Sequence, residues 1–265
     1  GNDVAGIMLT NPNTCGLFER DIRKIADAVH EHGGYFYCDG ANFNAIVGRV
    51  KPGDLGVDAM HINLHKTFST PHGGGGPGAG PVVKLVEDEQ SSDADPFGRM
   101  VAFHGQMGMF VRALSYMMSH GSDGLRQVAE DAVLNANYVL ASLKDVMSAS
   151  FEDPCMHEAL FDDRFLKGTG VETLDFAKAM IDEGYHPMTV YFPLVVHGAM
   201  LIEPTETESK ETLDEFIGCM ADLARSAKAG DKARFENAPE LTPRRRLDET
   251  TAARKPVLRW TPPAP

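Results

Sequence analysis

The chain has 265 residues, 43% hydrophobic and 24% charged, with 25 Lys+Arg against 38 Asp+Glu for a formal net charge of -13. That is an ordinary globular composition, and at roughly 150 residues per domain it predicts one large or two modest domains. The acidic balance argues against nucleic acid or anionic membrane as the main partner, because no basic excess is present to neutralise phosphates. No run reaches the ~20 apolar residues that a membrane-spanning helix needs. The best candidate, residues 191–202, is interrupted by Pro193, His197 and Gly198. Cys15, Cys38, Cys155 and Cys219 are scattered and form no CxxC pair. This predicts a reducing compartment, bacterial cytoplasm or a mitochondrial matrix, and argues against a structural zinc site. A strand-like run starts at Val4, just after an opening Gly1 rather than Met, so the chain is expected to be part of a longer one.

In chain order, Val4–Leu9 reads as a buried strand, followed by the turn formers of Asn11–Gly16. Ile22, Ile25, Ala26 and Val29 give the i, i+3, i+4, i+7 stripe of a helix over Glu19–His30, which Gly33-Gly34 ends. Tyr35–Cys38 and Val57–Leu64 read as strands, and so does Pro81–Val86 beyond a glycine-rich stretch. Strand and helix spacing of this kind predicts parallel βαβ units. Glu87–Asp95 reads as an acidic loop, and Gly124–Leu143 as a long helix. A strand is expected over Met156–Phe161, a helix over Glu172–Glu183, and strands over Met188–Phe192 and Leu194–Ile202. Thr205 and Glu208 have capping-box spacing ahead of a last helix to about Ala227. The remainder, rich in Pro and Arg, is expected to be an extended tail. The domain expectation is an α/β portion over residues 1–120, a smaller α+β domain over 121–242 and a tail over 243–265.

Chemistry concentrates between His65 and Gly80. Six of the eight residues Gly73–Gly80 are glycine. Glycine permits positive φ and close approach of backbone to a ligand, at an entropic cost that asks for a reason. Gly73-x-Gly75-x-x-Gly78 has the letters of a dinucleotide loop, but it runs into a strand signal rather than opening a helix. A phosphate loop of the hydrolase type would need Gly-Lys-Ser/Thr, which is missing. His61 and His65, four apart in a strand, would stand ~13 Å from one another and could not share an ion.

Lys66 sits where a strand meets the glycine loop, beside His65 and Thr67. A lysine that loses water there has a depressed pKa and becomes an amine nucleophile able to form a Schiff base. Asp39 ends the apolar strand Tyr35–Cys38, 27 residues earlier. Pyridoxal phosphate (PLP) needs an acid against its pyridine nitrogen and a lysine for its aldehyde. Both residues fall at carboxyl ends of strands, where open α/β sheets bind ligands. The bland readings are a snorkelling surface lysine and a turn-capping aspartate.

Asp39-Gly-Ala-Asn42 and Asn63-Leu-His-Lys-Thr-Phe-Ser-Thr-Pro-His-Gly-Gly-Gly-Gly-Pro-Gly78 closely resemble the PLP-dependent glycine dehydrogenase (decarboxylating) family, the P-protein of the glycine cleavage system. Asn11–Thr14, Thr189–Pro193, Ile202–Leu213 and Ala253–Trp260 resemble it too, so the likeness covers nearly the whole chain. The resemblance implies the aminotransferase-like fold of PLP enzymes (fold type I), as a partial large domain with a small C-terminal domain. It implies Lys66 as the lysine bound to the cofactor and Asp39 as the partner of the ring nitrogen. Ala41 would lie against the ring, and His65 and Asn11 would line the site. It further implies decarboxylation of glycine, with transfer of the aminomethyl group to the lipoyl group of H-protein. A second subunit or the other half of a one-chain form would complete an oligomeric enzyme, with neither nucleic acid nor membrane as a partner. Glu87–Phe97 is shorter than the family pattern. Two other readings stay open at this point: another fold-type-I PLP enzyme, hydroxymethyltransferase- or decarboxylase-like, and a non-catalytic truncated or scaffold chain.

Overall fold

The computed structural model describes residues 3–72 and 106–262. The expected strand Pro81–Val86, the acidic loop Glu87–Asp95 and the glycine run Gly73–Gly80 lie outside them. The chain forms two compact units. The first holds the described residues through Asn137, with Cys155–Glu158 and Pro204–Glu208; the second holds Tyr138–Pro154, Ala159–Glu203 and the described residues from Ser209 onward.

The first unit is built on three parallel strands in the order β1-β2-β3: β1 (Gly6–Thr10), β2 (Tyr35–Gly40) and β3 (Ala59–Ile62). The register runs Thr10↔Asp39 and Asp39↔His61, so the ends of the strands are level. Alternation divides each strand between two faces. Phe36 and Cys38 are buried with Ile22 and Ala26 of helix α1 (Ile22–His30), and Ile7, Leu9 and Met60 pack against them. Tyr37 and Asp39 therefore emerge on the face away from α1. Gly56 (φ 86°) closes the 3-10 turn Pro52–Leu55, where an added Cβ would stand 2.6 Å from the Cβ of Ala26. Chain and helix meet here at a distance only glycine allows.

After β3 the chain turns into α2 (Leu64–Thr67), one helical turn in place of the continued strand expected over Val57–Leu64. Phe68 then enters a second core with Phe43, Ala45, Ile46 and Val47, against Ala113, Val128 and Ala129 of α3 (Met107–Leu143). α3 extends well before the expected start at Gly124 and is interrupted at Gly121, whose φ of 64° and ψ of -175° are not helical.

In the second unit the sheet order is β4-β5-β7-β6, all antiparallel: β4 (Ser148–Ala149), β5 (Ala159–Asp162), β6 (Thr189–Val190) and β7 (Met200–Ile202). β5 and β7 are buried throughout and so read as continuous apolar runs. Helices α4 (Thr173–Asp182) and α5 (Lys210–Ala229) supply Phe176, Met180, Leu213, Met220 and Leu223 to this core. Phe176 meets Phe165 edge-on at 5.6 Å between ring centroids and stacks with Phe235 at 6.2 Å.

Three expectations need correction here. The apolar run Leu194–Ile202 is a strand only over its last three residues. Pro193 has no N–H to give a ladder, Val196 N–H turns back to its carbonyl, and Leu194 and Val195 are 86% and 82% exposed. The last helix is capped by Ser209, whose hydroxyl accepts from Thr212 N–H, not by Thr205, whose hydroxyl meets that of Thr207. Beyond α5 the chain is not simply extended: it forms α6 (Ala233–Glu236) and α7 (Glu249–Arg254).

Candidate active site

Asn11, Asp39, Ala41, His65 and Lys66 follow the carboxyl ends of β1, β2 and β3, the edge at which parallel sheets bind ligands. The loops carrying them are joined directly. Phe43 N–H donates to Thr67 Oγ1 at 3.1 Å, which ties the segment after Asp39 to the residue after Lys66. Thr67 and Phe68 are buried and Lys66 is exposed on the other side of α2. The expectation of a lysine stripped of water at the end of a buried strand is therefore not met by the described residues: one helical turn lifts Lys66 off the strand. Ser69 has a φ of 57°, and its carbonyl accepts from Arg112 Nε at 2.6 Å, which anchors the chain just beyond Lys66.

His65 meets His72 edge-on at 4.4 Å between centroids. Burial holds its pKa below the ordinary histidine value, and the neighbouring charges of His72 and Lys66 lower it further. Asp39 Oδ1 accepts a hydrogen bond from Ala41 N–H at 2.9 Å and lies 2.9 Å from His61 Nε2, an ion-pair contact. Among the described residues neither partner engages Oδ2. His61 is in turn 2.9 Å from the Tyr37 hydroxyl through Nδ1.

Asn11 is 5% exposed. Its Oδ1 accepts from Glu19 N–H at 2.9 Å, whereas its buried Nδ2 has no partner among the described residues. Buried donors are almost always satisfied, so this orphan points to an acceptor supplied by a bound molecule. An orphan donor, a carboxylate with one oxygen uncommitted and an accessible lysine at one sheet edge suit PLP: a phenolic or anionic acceptor, a protonated ring nitrogen and an aldehyde.

His157 is not among the residues expected at the site. In the structure it is 1% exposed and belongs to the first unit. Asn137 accepts from Cys155 N–H through Oδ1 and donates to the Cys155 carbonyl through Nδ2, and Met156 N–H donates to the Gly16 carbonyl. Burial pulls the pKa of His157 down to about 4, with the charge of Lys66 adding to the shift. His157 lies 91 residues from Lys66, and no local pattern marks it. His61 is likewise visible only through its register opposite Asp39.

Comparison with solved structures defines the class. The chain matches a crystal structure of glycine decarboxylase (P-protein) of the glycine cleavage system in inhibitor-bound form, with a TM-score of 0.65 at 21% identity over 84% of this chain and 56% of that one. It matches apo cysteine desulfurase from Thermococcus onnurineus NA1 at 0.60 and 16% identity, over 84% of this chain and 60% of that one. A PLP-bound serine palmitoyltransferase variant from S. paucimobilis matches at 0.59 and 14% identity, over 84% and 55%. The fold is that of the PLP-dependent enzymes of fold type I. Residues 128–242 match the family model "Glycine dehydrogenase, C-terminal domain". Over its whole length the chain is 70% identical to a glycine dehydrogenase (decarboxylating) subunit 2 from Caulobacter vibrioides, covering 55% of that protein. It is 52% identical to the Staphylococcus haemolyticus counterpart, over 97% of this chain and 56% of that one. Over its whole length the chain is similar to these glycine dehydrogenase (decarboxylating) subunit 2 proteins, and it spans about half the length of the curated relatives it matches.

Proposed function

We propose that this chain carries the PLP-holding edge of a glycine-decarboxylating enzyme, with glycine as substrate and the lipoyl group of H-protein as acceptor of the aminomethyl unit. PLP, when bound, supplies an electron sink for the pair of electrons left as the carboxylate departs as CO2. Lys66 is the residue to hold it covalently, and its exposure on α2 leaves the amine open to exchange with an incoming amino acid. Asp39 offers Oδ2 to a protonated ring nitrogen. Asn11 directs its buried N–H to an acceptor atom of the ring. Ala41, small and next to the carboxylate, leaves room for the ring face, and His65 borders the lysine. A second subunit, or the remaining length seen in the relatives, completes the site, and the enzyme works in the bacterial cytoplasm.

The observation that carries this reading is the orphaned Nδ2 of Asn11, just beyond the end of β1, the strand next to that of Asp39. Two lines of support stand beside it: the whole-length similarity to glycine dehydrogenase (decarboxylating) subunit 2 proteins, and the level register that brings Asp39 and the Lys66 loop to one edge. Borohydride reduction of the full-length protein with PLP, followed by peptide mapping, is expected to label Lys66. Label on another lysine, or none, overturns the proposal. Exchange of CO2 that depends on both glycine and lipoylated H-protein then distinguishes this activity from that of other fold-type-I enzymes.

A further inference from the structure

Tyr37, His61 and Asp39 form a continuous chain on the face of the sheet away from α1. Tyr37 and Asp39 are two apart on β2 and share that face, and His61 stands opposite Asp39 on β3. The Tyr37 hydroxyl lies 2.9 Å from His61 Nδ1, and His61 Nε2 lies 2.9 Å from Asp39 Oδ1. The tyrosine and histidine rings are 5.8 Å apart between centroids and tilted by 31°.

We infer that His61 is a positioning residue: held between Tyr37 and Asp39, it fixes the rotation of the Asp39 carboxylate so that Oδ2 faces the cofactor ring. This rests on the PLP reading above. A carboxylate torsion is broad and roughly two-fold, so an aspartate held by one donor samples both oxygens. Here Ala41 N–H, by a hydrogen bond, and His61 Nε2, by a 2.9 Å contact, converge on Oδ1 from the aspartate's own loop and from the neighbouring strand. The tyrosine hydroxyl sets the histidine: by donating to Nδ1 it leaves Nε2 as the ring nitrogen that carries its proton toward Asp39. In that arrangement one carboxylate oxygen is committed and the other is left open. His61 and Asp39 side chains are 38% and 27% exposed, and a pair so accessible to water contributes little to stability. Orientation is then the consequence that a three-residue chain of this kind has for Asp39. Such outer partners of a ligating group are commonly as important as the ligand itself.

The test uses the full-length protein and four variants. His61→Leu is expected to weaken PLP binding about tenfold and to shift the pH at which the visible cofactor band changes. His61→Gln, whose amide can place an N–H near the position of Nε2, restores both. Tyr37→Phe gives a smaller loss in the same direction. Histidine 15N NMR of the free protein at neutral pH is expected to show His61 protonated on Nε2, with a signal that moves on loading in the wild type and not in Asp39→Ala. Binding and band equal to wild type in His61→Leu, or a His61 signal indifferent to loading, overturns the inference while PLP still labels Lys66. Should circular dichroism show His61→Leu unfolded, the 15N response and Tyr37→Phe decide: wild-type binding by Tyr37→Phe with no response at His61 refutes the role. A wild type that takes up no PLP at Lys66 brings down the underlying reading, and the positioning role with it.

Discussion

Gly16 lies directly against the backbone of Glu158: a Cβ built on Gly16 would stand 2.1 Å from the Glu158 carbonyl oxygen. Its φ of 73° is already left-handed. The contact packs the segment bearing His157 onto the loop bearing Asn11, and the Met156–Gly16 hydrogen bond of 2.7 Å holds it there. Gly16→Ala meets both a strained φ and a backbone clash, so a loss of about 2–4 kcal/mol is expected in urea unfolding. Gly33→Ala is the control, because an added Cβ there meets nothing within 4 Å although φ is 74°. Its loss is expected to be the smaller of the two.

His157 makes stability depend on pH. Its ordinary value of 6.5 is pulled down to about 4 in the fold, chiefly by burial. Between those values the unfolded chain binds the proton and the folded one does not, so stability falls as pH is lowered through the window. Below about 4 the loss is complete, at about 3 kcal/mol for a shift of this size. Denaturant midpoints measured at pH 7 and pH 4.5 are expected to differ less in His157→Gln than in the wild type. An equal difference in both would contradict the assignment.

Ser209 is the cap of α5, accepting from Thr212 N–H at 3.1 Å with φ and ψ in the extended region. Ser209→Ala is expected to lower stability by about 1 kcal/mol. Thr205→Ala, at the position whose spacing suggests the cap, should cost less, because its hydroxyl serves only a local turn. Thermal melts of the two variants side by side settle the order.

Asp39→Asn keeps the shape of the side chain and removes its charge. With PLP bound through Lys66, the decarboxylation rate is expected to fall by roughly 10²–10³, the scale on which removing one electrostatic stabiliser acts. Stability should change by only about 1–2 kcal/mol, since one hydrogen bond and one ion-pair contact are perturbed at a partly exposed site. Unfolding of the variant by circular dichroism would make Asp39 a structural residue instead.

Much of the fold is written locally. The Ile22, Ala26 stripe of α1, the strand runs to Leu9 and Cys38, each extended one or two residues further in the structure, and α4 with its reciprocal Glu172–Asp175 cap follow from periodicity and capping chemistry. Leu194 and Val195 mislead because hydrophobicity marks a strand only when a partner covers it, and a proline between them and β6 prevents the ladder. Ser209 loses to Thr205 on paper because Thr205-x-x-Glu208 has the capping-box letters and Ser209-x-x-Thr212 does not, and only the backbone decides which hydroxyl meets an open N–H.

The order of residues was enough to single out Lys66 and Asp39, because a lysine and an acid at the ends of apolar strands have few chemical uses in common, whereas Asn11 was implied only by the family resemblance. What it could not supply was their surroundings. The exposure of Lys66 on a helical turn, the burial of His157 beside the Asn11 loop and the hand-off from Tyr37 through His61 to Asp39 depend on register and on contacts between segments far apart in the chain. Those are decided by how strands align and how loops pack, a property of the whole unit that no window of neighbouring residues contains.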